Sequence, residues 1–185
     1  MSKEIFQKQK EFVLFKVDKS SKGHYDKKII TLCEKINKKD NYYTTSSCSG
    51  RVVIIKDKKK KEKGVFVFVS HDLVGVKELK KVLEDKDENL KFKQEPCILH
   101  VACRDLENAL ELLKKAQLAG WKRSGVISSK GKFVCELLST EKLELPFAQK
   151  GKLLFDSTYL EILIKKANEN LKKTWLKIEM LGKLI

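Results

Sequence analysis

The chain has 185 residues, enough for one domain whose single core buries roughly two thirds of the surface exposed by the unfolded chain. Hydrophobic residues at 42% and charged residues at 35% describe a highly charged globular protein and exclude a disordered or fibrous one. A formal net charge of +15 calls for a polyanionic partner, and nucleic acid fits better than membrane because no basic amphipathic face carries exposed aromatics.

Of the 40 Lys and Arg residues only Arg51, Arg104 and Arg123 are arginine, and so strong a lysine bias also arises from genome composition or heat adaptation. The longest apolar runs, such as Val65 to Val69, are about five residues, too short to cross a bilayer. The first residues lack a signal peptide's apolar stretch, so the expected compartment is the cytoplasm. Cys33, Cys48, Cys97, Cys103 and Cys135 are odd in number and form no CxxC pair, which argues against a disulfide framework or a thiolate zinc site. Most of them read as small buried hydrophobes. His24, His71 and His100 are scattered, and no metal is expected.

Residues 2 to 16 predict an amphipathic helix behind a Ser2 cap, with Ile5, Phe6, Phe12 and Val13 on its apolar face. Asp18-Lys19-Ser20-Ser21-Lys22-Gly23-His24-Tyr25-Asp26 is a polar loop, by composition either a connector or a binding segment. Asp26 stands where it can cap a helix from Lys27 to Lys38, whose Ile29, Ile30, Cys33 and Ile36 form an apolar stripe.

Six consecutive hydroxyl or thiol residues follow, Thr44-Thr45-Ser46-Ser47-Cys48-Ser49, and then Gly50 and Arg51. Side chains this short and polar do not fill a core; they supply donors and acceptors. Tyr42 to Thr45 has β-forming composition, and Ser49-Gly50 is a turn signal before Val52-Val53-Ile54-Ile55, so the stretch predicts strand, tight polar loop, strand. Gly50 allows dihedrals that other residues resist, successive loop amides can cradle an anion, and Arg51 adds a planar fork for carboxylate or phosphate. The alternative is an ordinary Ser-rich turn with a solvated arginine. Cys48 is either a ligand contact or a turn filler.

Val65 to Val69 predicts a further strand, joined to the previous one by Lys56 to Gly64, where six lysines form either a solvated hairpin tip or a track for phosphates. It ends in Ser70-His71-Asp72, polar groups at a strand end where sites are often built. Val76, Leu79, Val82 and Leu83 suggest a short helix, followed by an acidic connector from Glu84 to Asn89. Cys97 to Cys103 is apolar on both faces and reads as a central strand, in which His100 is either a hydrogen-bonded core residue or a site wall.

Asp105 caps a helix that carries Leu106, Ala109, Leu110, Leu113 and Ala116 in register and closes at Gly120. Trp121, next to Arg123, either stacks on a base or packs at the helix end. Val126 to Ser128 and Lys132 to Leu138 predict two more strands, and a capping box of Thr158 with Glu161 opens a helix over 158–183. No repeat or linker divides the chain. The expectation is one α+β domain over 1–185, a mixed β-sheet flanked by helices, and without a G-x-G-x-x-G after a strand it is not of the Rossmann type.

Thr44 to Arg51, with Asp18-Lys19-Ser20 and Lys22-Gly23 before it, and Ser70-His71-Asp72 and Glu95-Pro96-Cys97-Ile98-Leu99-His100-Val101 after it, resembles the tRNA wybutosine-synthesising protein 3 family, including its archaeal members. The resemblance runs in order from about Phe15 to Pro146. It implies an S-adenosylmethionine-dependent methyltransferase on a non-Rossmann architecture. The implied target is the N(4) ring nitrogen of a tricyclic wyosine-type guanosine derivative beside the anticodon of phenylalanine tRNA. The implied partner is the anticodon stem-loop of tRNA(Phe), with no membrane and no obligate protein partner.

On this resemblance Ser46, Ser47, Cys48, Ser49, Gly50, Arg51, Ser70 and His100 hold the cofactor in one cleft, with Arg51 pairing with its carboxylate. Asp26 or His71 takes the proton of the methylated nitrogen. Asp18, Lys19, Lys22, Trp121, Arg123 and Ser124 contact the tRNA or its modified base. Cys135-Glu136-Leu137 departs from the Ile-Arg of the family pattern, which leaves one basic contact open. Two other readings compete: a non-catalytic RNA-binding module gripping tRNA through its basic surface and Trp121, and a small-molecule enzyme with Cys48 as nucleophile.

Overall fold

The computed structural model describes residues 2–15, 26–57, 64–82 and 87–185. Asp18, Lys19 and Lys22 lie outside these residues, as does most of the lysine run between Lys56 and Gly64. The helices are α1 (Lys3–Phe15), α2 (Ile30–Asn37), α3 (Val76–Lys81), α4 (Leu106–Leu118) and α5 (Ser157–Leu184). The strands are β1 (Tyr42–Cys48), β2 (Arg51–Lys56), β3 (Phe66–Ser70), β4 (Leu90–Glu95), β5 (Ile98–Cys103), β6 (Gly125–Ser128), β7 (Phe133–Leu138), β8 (Leu143–Gln149) and β9 (Lys152–Leu153). Among the described residues, no helix is long and apolar enough to cross a membrane.

The chain divides into two compact units, the first made of 1–49, 97–140 and 174–185, the second of 50–96 and 141–173. Each unit has its own sheet. The α+β expectation holds, but the single mixed sheet resolves into two sheets whose strand pairs are all antiparallel.

In the first unit the strand order is β1-β5-β7-β6, which puts β5 inside the sheet as its two apolar faces require. One face sends Leu99, Val101, Cys103, Cys135 and Leu137 into a core with Leu32 and Ile36 of α2 and Ala109, Leu112 and Ala116 of α4. Burying each large aliphatic side chain there contributes about 1.5–3 kcal/mol. The opposite face is covered at one end only by α1, where Phe6 packs on Tyr43 and Ala102. Alternation along β5 then assigns Ile98 and His100 to this second face, beside Ala102.

Three helix expectations are corrected in detail. On α1 only Phe6 of the four apolar positions is buried and Ile5 and Phe12 are exposed, because Lys10 takes part of the inner face and donates to the Lys39 carbonyl at 2.7 Å. Helix α2 begins at Ile30, and no side chain caps it. Helix α4 is capped by Asp105 as expected, but Leu106 and Leu110 are exposed; Ala109 and Ala116, being small, are what let the helix lie close on the sheet.

The second sheet has the order β3-β2-β4-β8-β9. Strand β4 alternates strictly, with Leu90, Phe92 and Gln94 buried and Lys91, Lys93 and Glu95 on the other side. Phe92 meets Phe147 of β8 with ring centroids 6.1 Å apart, and Leu160, Leu163, Ile164, Ala167 and Leu171 of α5 are buried in the same unit. The N-terminal cap of α5 is Asp156, which accepts the Tyr159 N–H at 2.8 Å, rather than Thr158.

Candidate active site

The polar run is a strand for most of its length. β1 continues to Cys48, and only Ser49 and Gly50 separate it from β2, with Gly50 at φ 90° in the left-handed region that suits glycine. The two strands join different sheets, so the run is neither a loop nor a hairpin. The cause is pairing with β5: Ser46, Ser47 and Cys48 stand opposite His100, Leu99 and Ile98, after a register shift between Thr44 and Ser46. That shift re-aims the side chains beyond it.

Polar residues of this run are buried after all, because each finds a partner. Thr44 is closed by Asn37 at the end of α2, whose amide oxygen accepts the Thr44 N–H at 2.8 Å and whose amide nitrogen donates to the Thr44 hydroxyl at 3.0 Å. Ser49 is fully buried; its N–H donates to the Asp26 carboxylate at 3.0 Å and its hydroxyl to the same oxygen at 3.4 Å. Asp26 therefore anchors the Ser49 turn instead of capping α2.

The hydroxyl of Ser47 faces the α2 side, where it hydrogen-bonds the Cys33 thiol. Burial pushes that thiol up to about 11, and burial likewise raises Cys97 well above the usual thiol range. Both are packing groups. Cys48 is half-buried, and all five cysteines are free thiols.

On the second face of the same sheet, Ser46, His100 and Glu136 form a row across β1, β5 and β7, each directly opposite the next. The Ser46 hydroxyl lies 2.9 Å from His100 Nδ1, and His100 Nε2 lies 2.8 Å from Glu136 Oε2. His100 thus walls an open polar face and is bonded at both ring nitrogens, with side-chain exposure of 28% for His100 and 31% for Glu136. Glu136 was singled out in the sequence only as a departure from a pattern. Its partnership with His100 depends on strand register, which no local signal carries.

The remaining predicted cofactor residues belong to the second unit. Arg51 stands opposite Glu95 in the β2–β4 register, and its Nε donates to Glu95 Oε2 at 2.6 Å while the guanidinium lies 5.1 Å from the Phe66 ring centroid. The Ser70 hydroxyl donates to the Asp72 carbonyl and accepts the Asp72 N–H, both at 3.1 Å, a local turn that holds half-buried His71 at the end of β3.

Two predicted substrate contacts are corrected. Trp121 is fully buried and donates its indole N–H to the Lys177 carbonyl at 3.1 Å, so it offers no face for a base to stack on. Ser124 spends its hydroxyl on structure, donating to the Trp121 carbonyl at 2.7 Å and accepting the Leu138 N–H at 3.1 Å. Arg123 is exposed.

A protein-family model described as Methyltransferase TYW3 matches residues 3–185. The chain belongs to this methyltransferase family. Among curated members, a protein of Archaeoglobus fulgidus named tRNA(Phe) 7-((3-amino-3-carboxypropyl)-4-demethylwyosine(37)-N(4))-methyltransferase is 37% identical, over 92% of this chain and 86% of its own. A tRNA wybutosine-synthesizing protein 3 homolog of Xenopus laevis is 36% identical, over 92% of this chain and 70% of its own. Among solved structures, the PH1069 protein of Pyrococcus horikoshii matches with a TM-score of 0.89 at 30% identity, covering 98% of this chain and 94% of its own. The family resemblance carried by the Ser46 to Arg51 stretch is thereby extended to the whole fold.

Proposed function

We propose that this chain is an S-adenosylmethionine-dependent methyltransferase that modifies the N(4) ring nitrogen of a wyosine-type guanosine derivative in tRNA(Phe), docking on the anticodon stem-loop. The observation that carries the reading is membership of the methyltransferase family over residues 3–185. The net charge of +15 suits a polyanionic RNA, whose phosphates supply salt-dependent affinity.

S-adenosylmethionine, when bound, supplies an activated methyl group on a sulfonium. The donor set of the first unit fits such a molecule. The exposed Ser46 hydroxyl and the half-buried His100–Glu136 pair offer acceptors for its amino and ribose groups and a negative charge that favours a cation. Asp26 fixes the turn that ends β1, so these groups keep their places and little reorganisation is needed. Arg51 is proposed to meet the methionine carboxylate through the guanidinium donors other than the Nε that Glu95 holds. Methylating a ring N–H releases one proton, and Asp26 and His71 are the acceptors that the family pattern offers.

The test is direct: incubate the full chain with methyl-labelled S-adenosylmethionine and tRNA(Phe) lacking this methyl group, digest the RNA and separate the nucleosides. Label at N(4) of the wyosine-type nucleoside is the expected result. Saturable RNA binding with no label in any nucleoside would leave a binding module instead.

A further inference from the structure

Asp26 already spends its carboxylate on two hydrogen bonds from Ser49, which leaves it poorly placed to receive a proton. The row Ser46–His100–Glu136 has no such commitment at its outer end. A carboxylate can only accept, so Nε2 of His100 carries a proton toward Glu136, and the neutral ring then has its lone pair on Nδ1, where the Ser46 hydroxyl donates. Ser46 is exposed and turns its own lone pairs outward. The fourth position of the row is Gly125, opposite Glu136 on β6, where an added Cβ would meet nothing within 4 Å, so the far end of the row lies in open space.

We propose that Ser46, His100 and Glu136 form a proton relay that takes the proton from the methylated ring nitrogen, with His100 as the base and Glu136 as its positioning residue. This deepens, and rests on, the methyltransferase reading. As the N–CH3 bond forms and the S–CH3 bond breaks, the ring N–H bond breaks and its proton passes to the Ser46 oxygen. The hydroxyl proton of Ser46 moves to Nδ1, Nε2 keeps its own, and the imidazolium charge is held by the Glu136 carboxylate. The groups that face His100 from the neighbouring strands are Ser46 and the Thr45 hydroxyl on β1, the latter bonded to the His100 carbonyl at 3.4 Å, and Glu136 on β7.

The relay has a signature that needs neither tRNA nor cofactor. Ring nitrogen-15 NMR of the full chain, with His100 assigned by its loss in His100→Gln, should show one neutral tautomer carrying the proton on Nε2. Glu136→Ala should mix the two tautomers, and Glu136→Gln should keep the Nε2–H form because its amide oxygen accepts the same bond. In single-turnover methyl transfer, Glu136→Ala and Ser46→Ala should each lose roughly a hundredfold in rate, the usual worth of a positioned base. Their affinity for S-adenosylmethionine, measured by calorimetry, should change by less than about threefold, and Glu136→Gln should recover part of the rate.

An unchanged tautomer in Glu136→Ala, an unchanged rate there, or a rate loss matched by an equal loss of cofactor affinity overturns the relay and leaves the methyltransferase reading intact. Loss of transfer in His71→Ala with a normal Glu136→Ala rate does the same and gives the proton to His71. A wild-type chain that labels no tRNA overturns the reading itself, and the relay's role with it.

Discussion

Asp26 and Ser49 are joined twice through one carboxylate oxygen, which accepts the buried Ser49 N–H at 3.0 Å and its hydroxyl at 3.4 Å across 23 residues of sequence. A carboxylate that receives a backbone N–H forms a charge-assisted bond, and the donor it satisfies has no water to replace it. The turn between β1 and β2 is therefore held from outside itself. Asp26→Ala should destabilise the fold by about 1–3 kcal/mol, the cost of leaving a buried donor unpaired, and Asp26→Asn by less, because the amide oxygen still accepts. Urea denaturation of the three proteins orders them; equal stability of all three would show that the bond contributes nothing.

Arg51 is the residue whose assigned role the structure most constrains. Its pairing with Glu95 across the β2–β4 ladder already accounts for Nε, so a cofactor carboxylate has to use the other edge of the guanidinium. Arg51→Ala should weaken S-adenosylmethionine binding about tenfold in calorimetry, the worth of a hydrogen bond to a charged group. Affinity that stays at the wild-type value removes Arg51 from the cofactor contacts and leaves it a sheet ion pair.

Trp121 separates a core residue from a stacking platform. Its ring fills the first core and its N–H is met by Lys177, so Trp121→Ala should cost about 3–5 kcal/mol in chemical denaturation, and Trp121→Phe a smaller amount. The tRNA affinity of folded Trp121→Phe should equal that of wild type. A drop in affinity with stability preserved would restore the stacking role.

How much of this was legible in the sequence depends on whether the deciding contact was local. The chemistry of Thr44 to Arg51 is written in residue types, and so was its reading as a source of donors and acceptors. Its conformation is not, since serines and threonines serve loops and strands alike, and pairing with β5 decided the matter. Asp105 beside α4 and the apolar stripe of α5 are local patterns and held. Trp121 next to Arg123 looks like a nucleic-acid contact in sequence, because adjacency says nothing about which side of a sheet a ring enters. Strands β4 and β8 hid for a different reason: the third inward position of β4 is Gln94, which breaks the apolar alternation that announces a strand.

That glutamine is itself a testable feature of the second unit. Gln94 is fully buried, donates from its amide nitrogen to the Glu95 and Glu141 carbonyls at 3.1 Å, and accepts from the Asn170 amide of α5 at 2.9 Å. Asn170→Ala strands the Gln94 oxygen and should cost about 1–3 kcal/mol. Adding Gln94→Leu in the same protein should recover part of the loss through Asn170's side, since no acceptor is then left unpaired, although two carbonyls lose their donor. Double-mutant cycles by urea denaturation read the coupling, and simple additivity of the two changes would show that the pair does not act as one.

Asp105 gives the stability of the first unit a predictable dependence on pH. Its carboxyl is held below the usual carboxylate range, first by the Asn108 N–H it accepts at 2.9 Å as the cap of α4 and further by Arg104, whose Nε lies 3.1 Å away. Because the folded value lies below the unfolded one, the ionised group's contribution is complete above the ordinary aspartate range and fades as pH falls through the depressed value. Asp105→Ala should cost about 1 kcal/mol at neutral pH, the usual worth of an N-cap. Asp105→Asn keeps an acceptor for the Asn108 N–H, so it should cost less at neutral pH while losing stability more gently than wild type on acidification. Urea midpoints at neutral pH and in the acid range test both, and parallel acid loss in wild type and Asp105→Asn would assign that loss to other carboxylates.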